Sequence, residues 1–129
     1  TEGLGLLDVA TVMTPDKRLT RTAARHEATG LGLEGYEIHI GRTEGADCAR
    51  PFARIDGRPE GAVSADGRVT GSYLHGMFTD DAFRAVFLAG LGAEASGLGY
   101  GAEVDRVLDA LAAHLERHLD IDALFALAR

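Results

Sequence analysis

The chain has one cysteine, no tryptophan and few other aromatic residues. Among its 129 residues are five Phe and three Tyr, a small aromatic stock for a self-contained core. A single cysteine cannot form an internal disulfide, which predicts a reducing, cytoplasmic location. No apolar run approaches the roughly 20 residues that a membrane-spanning helix needs, so we expect no membrane partner.

Positive charge is also scarce. Thirteen Lys and Arg residues face twenty Asp and Glu residues, which gives a net charge of −7. Nonspecific nucleic-acid binding needs clustered Lys and Arg, so the balance argues against a nucleic-acid partner. The length fits one domain over residues 1–129, or part of one. The opening Thr1-Glu2-Gly3-Leu4 has no initiator Met and resembles the middle of a domain, which predicts an incomplete protein.

Short strands are predicted first and helices last, an order that by itself indicates an α+β arrangement. Thr14-Pro15-Asp16 predicts a turn, Asp66-Gly67 predicts a tight hairpin, and residues 41–51 predict an ordered loop. Residues 17–27 are polar and predict an edge or solvent-facing strand. The other predicted strands are residues 8–13, 33–40, 52–55 and 62–64, and the predicted helices are residues 80–91, a segment after residue 101, and a short helix capped by Asp120.

The segment Gly71-Ser72-Tyr73-Leu74-His75-Gly76-Met77-Phe78 carries the strongest chemical pattern. A short alternating stretch delivers His75 to its end, a glycine follows, and then a helical pattern begins at residues 79–81. This order predicts strand, sharp turn and helix, with an imidazole at the turn. Histidine suits proton transfer near neutral pH, so His75 is the candidate acid/base residue.

The other candidate residues carry weaker patterns. In residues 33–40, alternation puts Tyr36, Ile38 and Ile40 on one side and Glu37 and His39 on the other, which favours a solvated polar face over a hydrogen-bonded Glu37–His39 pair on the sheet surface. Cys48 lies in a polar loop with no neighbouring base and no Gly-x-Cys-x-Gly elbow, so we interpret it as an ordinary loop cysteine. The His114/His118 pair lacks a third ligand, and we predict no metal site. The residues thus offer a base and no nucleophile.

Two motifs resemble a known family. Gly35-Tyr36-Glu37-Ile38-His39-Ile40-Gly41-Arg42-Thr43, together with the His75 segment, is similar to the C-terminal part of cobyric acid synthases. The opening residues 2–9 and the tail residues 109–115 resemble that family as well, so the likeness covers essentially the whole chain.

The resemblance implies a glutamine amidotransferase of cobalamin biosynthesis. It implies an N-terminal domain that uses ATP and Mg to activate four carboxylates of adenosylcobyrinic acid a,c-diamide, and a C-terminal class I glutaminase domain that releases ammonia from glutamine. The implied fold is α/β and flavodoxin-like. This chain would be its second half, with short strands followed by C-terminal helices, no bound cofactor, and the synthetase domain and cysteine nucleophile outside the sequence.

By position, the resemblance makes His75 the base that serves the cysteine. Class I domains usually carry a glutamate two residues after this histidine, where this chain has Met77. Glu37 or His39 could orient the ring instead if their strand lies beside the His75 strand. We expect the chain to be inactive alone and to self-associate through uncovered apolar surface. The alternatives are a non-catalytic binding or structural module, and the related cobyrinic acid a,c-diamide synthase.

Overall fold

A computed structural model describes residues 1–128, which form two compact units. The first unit is Thr1–Glu94 and contains all the strands, and the second begins at Ala95. The predicted order of strands followed by helices is therefore confirmed. None of the described helices is both long and apolar enough to cross a membrane.

The first unit is built on a five-stranded sheet whose strand order is β4-β3-β1-β2-β7. All of its recorded strand pairs are antiparallel. A separate two-stranded sheet pairs β5 with β6. The bounds are β1 Ala10–His26, β2 Gly32–Glu44, β3 Ala53–Ile55, β4 Arg58–Glu60, β5 Ala62–Val63, β6 Thr70–Gly71 and β7 Leu74–His75.

The turn predicted at residues 14–16 is wrong, because β1 runs through it as one long strand. The pairing steps from Val12–Arg42 to Lys17–Ile40, so four residues of β1 bulge opposite Gly41 alone. Gly41 has φ +93°, and a Cβ there would lie 2.4 Å from the Val12 carbonyl oxygen. The β1–β2 hairpin accommodates the proline-containing segment as a bulge, and strand β1 continues beyond it. Most of β1 is exposed, as predicted for residues 17–27.

The loop predicted at residues 41–51 is also wrong in part. Strand β2 continues to Glu44, and a 3-10 helix follows at Ala46–Ala49. Asp47 orders this helix: its Oδ2 accepts a hydrogen bond from the Asp8 amide at 2.8 Å, and its Oδ1 pairs with Arg50. One of these partners is far away in the sequence and the other is only a few residues away. Neither contact therefore produces a periodic pattern in the sequence.

Two tight hairpins follow. Asp56 and Gly57 both have positive φ (50° and 79°), the conformation of a type I′ turn, and they join β3 to β4. Strand β4 was missed because it contains Pro59, which an edge strand tolerates. The predicted Asp66-Gly67 hairpin is confirmed between β5 and β6.

The core of the first unit joins the sheet to its one α-helix. Helix α1, Asp81–Gly90, lies within the predicted residues 80–91, and it begins after Asp80, whose Oδ1 accepts the Phe83 amide hydrogen at 2.8 Å. Phe83 is 1% exposed and packs in a cluster with Ala24, Leu33, Phe52, Ala53, Ile55 and Leu74.

The second unit consists of α2, Tyr100–His118, and α3, Ile121–Leu127. Asp120 caps α3 as predicted, with its Oδ1 accepting the Ala123 amide hydrogen at 3.0 Å. Helix α2 carries a row of apolar side chains that are about half exposed: Val104, Val107, Leu108, Leu111 and Leu115.

Candidate active site

His75 lies where the sequence predicts it, at the end of a strand and before a sharp turn. It closes β7, and Gly76 follows with φ +83°, a left-handed conformation that favours glycine. A 3-10 helix at Met77–Thr79 then leads into α1. The imidazole is exposed, and no side chain within residues 1–128 is recorded as hydrogen-bonded to it.

The register of β7 on β2 fixes which side chains accompany His75. Tyr36 pairs with His75, and Glu37 pairs with Leu74. Directly paired residues of antiparallel strands share a face, and successive residues alternate between faces. The strand of Glu37 therefore lies beside the His75 strand, while the two side chains point to opposite faces of the sheet.

These two faces are named here by their residues. The histidine face carries Leu19, Tyr36, Ile38, Ile40 and His75, and the carboxylate face carries Leu33, Glu37, His39 and Leu74.

The solvated polar face predicted for β2 is wrong, because the alternation is real but its sense is reversed. Glu37 is 2% exposed, whereas Tyr36 is 49% and Ile40 is 41% exposed. Burial of Glu37 is possible because its Oε2 lies 2.8 Å from Arg18 Nε and 2.6 Å from Arg58 Nη2. Arginines on other strands decide which side is inside, and periodicity within one strand cannot reveal them.

His39 is held between Glu37 and the segment that precedes His75. Its Nε2 lies 3.5 Å from Glu37 Oε1, and its Nδ1 donates to the Gly41 carbonyl oxygen at 3.1 Å. Its ring lies 4.9 Å from the Tyr73 ring, centroid to centroid. The Tyr73 hydroxyl in turn hydrogen-bonds to the Thr43 hydroxyl at 2.6 Å. His39 thus contacts the chain two residues before His75.

Glu60 is a site residue that sequence reasoning missed. Its Oε1 accepts the Tyr73 amide hydrogen at 2.6 Å, and its Oε2 accepts the Ser72 hydroxyl at 2.9 Å. The Ser72 oxygen also accepts the Leu74 amide hydrogen at 3.0 Å. Burial raises the pKa of Glu60 above its ordinary value, although these hydrogen bonds act in the opposite direction. Glu60 fixes the backbone that enters β7, through partners that a local motif search does not detect.

Two further residues restrict the surroundings of His75. The partly buried Met77, two residues after His75, packs against the hydrophobic core. Gly35 lies so close to β7 that a Cβ there would be 2.4 Å from the His75 carbonyl oxygen. This approach requires glycine at position 35.

A cavity of about 490 Å³ opens on the carboxylate side of the sheet. Residues that line it include Glu37, His39, Cys48, Arg58, Glu60 and Tyr73, and His75 does not line it. The Cys48 thiol faces the Thr43 carbonyl oxygen at 4.0 Å. The structure therefore brings Glu37 and His39 together but does not bring Cys48 to His75.

The His114/His118 pair lies on α2, with its rings 4.4 Å apart. Within residues 1–128, no group of three or more His, Cys, Asp or Glu side chains could hold a metal ion.

Comparison with known proteins gives a consistent result. Residues 1–83 match the family of CobB/CobQ-like glutamine amidotransferase domains. Over all 129 residues the chain is 71% identical to a cobyric acid synthase of Cereibacter sphaeroides, 69% to one of Rhodobacter capsulatus and 59% to one of Bradyrhizobium diazoefficiens. It spans 27% of the length of each of these relatives. No solved structure matches. The predicted resemblance to cobyric acid synthases is confirmed.

Proposed function

We propose, since this chain belongs to the family of CobB/CobQ-like glutamine amidotransferase domains, that it is the histidine-bearing half of a glutaminase. The glutaminase would release ammonia from glutamine for ATP-dependent amidation of four carboxylates of adenosylcobyrinic acid a,c-diamide. The observation that carries the proposal is the exposed His75 at a strand–glycine–helix turn. The parallel strands of a flavodoxin-like class I domain would belong to other parts of the enzyme.

In the proposed mechanism His75 serves a cysteine thiol from another segment. The imidazole removes the thiol proton, and the thiolate attacks the carboxamide carbon of glutamine. The imidazolium then protonates the departing nitrogen, so that ammonia leaves and a thioester remains. Water, deprotonated by the same imidazole, hydrolyses the thioester to glutamate and restores the thiol.

Glu37 and His39 would support His75 indirectly. Glu37 joins β2 to β1 and β4 through Arg18 and Arg58. His39 contacts Tyr73, and Tyr73 is two residues from His75. In this proposal both residues are positioning residues, which hold the neighbouring strand and the entry to β7 while making no contact with the imidazole.

ATP and Mg²⁺ would supply carboxylate activation in the synthetase part of the enzyme. The described residues 1–128 offer no set of three metal-binding side chains, and the Gly-x-Gly pairs of the sequence form no phosphate-binding fingerprint. The proposal therefore assigns neither group to this chain. The cytoplasmic location predicted from the single cysteine stays a prediction.

The test is a chimera in which this chain replaces the matching 129 residues of the Cereibacter sphaeroides synthase. His75→Ala should lower glutamine-driven amidation by about 10²–10⁴-fold, because general acid–base catalysis contributes about that much. Amidation driven by added ammonia should continue, because it bypasses the glutaminase. His114→Ala, an exposed histidine on α2, is the matched control and should change neither rate.

Equal loss of both activities in His75→Ala would make His75 structural. An unchanged glutamine-driven rate would exclude it as the base. A parent chimera that amidates with ammonia but never with glutamine would favour the non-catalytic module instead.

A further inference from the structure

Glu60 is a buried carboxyl group that makes no recorded ion pair within the described part of the chain. Burying a carboxyl group costs free energy unless its oxygens are hydrogen-bonded, and here both are. Oε1 accepts the Tyr73 amide hydrogen, and Oε2 accepts the Ser72 hydroxyl hydrogen. The Ser72 oxygen in turn accepts the Leu74 amide hydrogen. One buried side chain therefore holds the three residues that precede His75, directly or through one hydroxyl.

The chain around Glu60 is shaped to bring it to this segment. The Glu60 carbonyl oxygen accepts the Phe52 amide hydrogen at 3.0 Å, which fixes the end of β4 beside β3. Gly61 follows with φ +71°, and a Cβ there would lie 2.4 Å from the Gly71 carbonyl oxygen. The left-handed conformation and the close approach both require glycine, and together they bring Glu60 against the entry to β7.

His75 needs support through its backbone, because the described residues provide no recorded hydrogen bond to its exposed imidazole. Strand β7 has only two residues and is the last strand of the five-stranded sheet. On the side of β2, Ile38 donates its amide hydrogen to the Tyr73 carbonyl oxygen at 3.0 Å. The Tyr73 amide itself donates to Glu60. The backbone that leads to His75 is thus held between β2 and Glu60.

We propose that Glu60 is a positioning residue for the glutaminase reaction, which holds the backbone before His75 so that the imidazole meets the cysteine thiol in reactive geometry. The inference rests on the proposed function and adds a residue that acts only through the backbone. Met77, on the other side of His75, packs against the core and cannot take this role. A misplacement of about 1 Å between reacting groups can cost about 10²-fold in rate, so the position of this backbone should affect the rate strongly.

The hydrogen bonds of Glu60 predict which substitutions preserve its role. Glutamine can accept the Tyr73 amide hydrogen through its carbonyl oxygen and can donate to the Ser72 oxygen through its amide nitrogen. Alanine can do neither, and it leaves both groups without their partner. The expected order of activity is therefore glutamate and glutamine together, with alanine far below them.

The test measures glutamine hydrolysis and ammonia-driven amidation in the chimera, well below the unfolding midpoint of every variant. Glu60→Ala should lower glutamine hydrolysis by about 10–100-fold and leave ammonia-driven amidation intact, whereas Glu60→Gln should stay within about threefold of the parent. Asp47→Ala is the matched control, because Asp47 is also buried and also accepts a backbone amide hydrogen, from Asp8. It should lower the midpoint without lowering the rate of hydrolysis.

A double variant separates positioning of His75 from a merely structural role. In the His75→Ala background the base is absent, so Glu60→Ala should lower the residual rate of glutamine hydrolysis no further. A structural role would lower that rate by the same factor in both backgrounds. Hydrogen exchange at the Tyr73 and Leu74 amides should accelerate in Glu60→Ala and not in Glu60→Gln. If Glu60→Ala does not fold, Ser72→Ala gives the same test with a smaller expected loss, because it removes only the hydroxyl link.

Four results would overturn the inference. Full hydrolysis by Glu60→Ala would show that the backbone holds without it. An equal loss in Asp47→Ala would show general destabilisation. A further loss in the His75→Ala background would show that Glu60 does not act through His75. Failure of Glu60→Gln to preserve hydrolysis would assign the effect to the charge of Glu60 rather than to its hydrogen bonds.

The outcome for Glu60 can be separated from the outcome for the proposed function. If the parent chimera never hydrolyses glutamine, the glutaminase proposal fails, and faster amide exchange in Glu60→Ala would leave Glu60 with a structural role only. If the chimera hydrolyses glutamine through His75 and Glu60→Ala is as fast as the parent, the glutaminase proposal stands and the positioning role fails.

Discussion

The two faces of one sheet differ in how their side chains are used. On the carboxylate face Glu37 is buried and contacts Arg18, Arg58 and His39. On the histidine face His75 is exposed beside large apolar side chains. The buried ion pairs that join the strands are thus on one side, and the side chain proposed for chemistry is on the other. Fixed strands can position a reactive group that has few contacts of its own.

The same difference between the two faces is seen in two glutamates of one strand, β2. Glu34 and Glu37 each pair with arginine, but Glu34 and its partner Arg21 are both more than 70% exposed, whereas Glu37 is 2% exposed. Exposed ion pairs contribute little because solvent screens them. The location of the pair, rather than its presence, should decide its contribution to stability.

The largest expected loss of stability comes from a substitution on the carboxylate face. Glu37→Leu leaves Arg18 and Arg58 without their shared carboxylate, and we expect the free energy of unfolding to fall by about 2–3 kcal/mol. This is less than the 3–5 kcal/mol typical of fully buried pairs, because both arginines are nearly half exposed. Urea denaturation of the isolated chain measures the change. Glu34→Leu is the control and should cost less than about 1 kcal/mol, and equal costs would contradict the distinction between the faces.

A second substitution tests whether the sheet positions His75. Gly35→Ala places a Cβ 2.4 Å from the His75 carbonyl oxygen, so β7 must move. We expect a loss of about 1–3 kcal/mol in stability and a lower rate of glutamine hydrolysis in the chimera, with ammonia-driven amidation retained. Gly32→Ala is the matched control on the same strand, since a Cβ there meets nothing within 4 Å. Normal glutamine hydrolysis by Gly35→Ala would show that this close approach has no functional consequence.

The smallest expected effect concerns Glu60. Its raised pKa means that the folded chain holds this proton more tightly than the unfolded chain does. The resulting stabilisation is present below the unfolded pKa and is lost as the pH rises through the folded pKa. Glu60→Gln keeps hydrogen-bonding groups for Tyr73 and Ser72 but does not titrate. The melting temperature of the variant relative to the parent should therefore rise with pH above about pH 4.

His26 requires a correction in that experiment. Burial lowers its pKa, so it destabilises the folded chain as the pH falls through its unfolded pKa, which is a slope of opposite sign. Subtracting the parent curve from the Glu60→Gln curve cancels this contribution. A difference curve that is flat with pH would contradict the role assigned to Glu60.

The sequence was informative where the pattern is local. The strand–glycine–helix order at His75, the Asp120 cap and the Asp66-Gly67 hairpin each depend on neighbouring residues, and each was predicted. The orientation of β2 was not predicted, because the burial of Glu37 depends on Arg18 and Arg58, which lie 19 and 21 residues away in the sequence. Glu60 was missed for the same reason, since its partners lie 12 and 13 residues further along the chain.

The most direct test of the comparison measures two properties in two variants of the chimera: the rate of glutamine hydrolysis and the midpoint temperature of unfolding. His75→Ala should lose hydrolysis at an unchanged midpoint, because His75 is exposed. Glu37→Gln should lower the midpoint and, at temperatures well below it, reduce hydrolysis far less than His75→Ala does, because Glu37 positions the strands and does not contact the imidazole. If Glu37→Gln loses hydrolysis as completely as His75→Ala while its midpoint is unchanged, the division between the two faces is wrong.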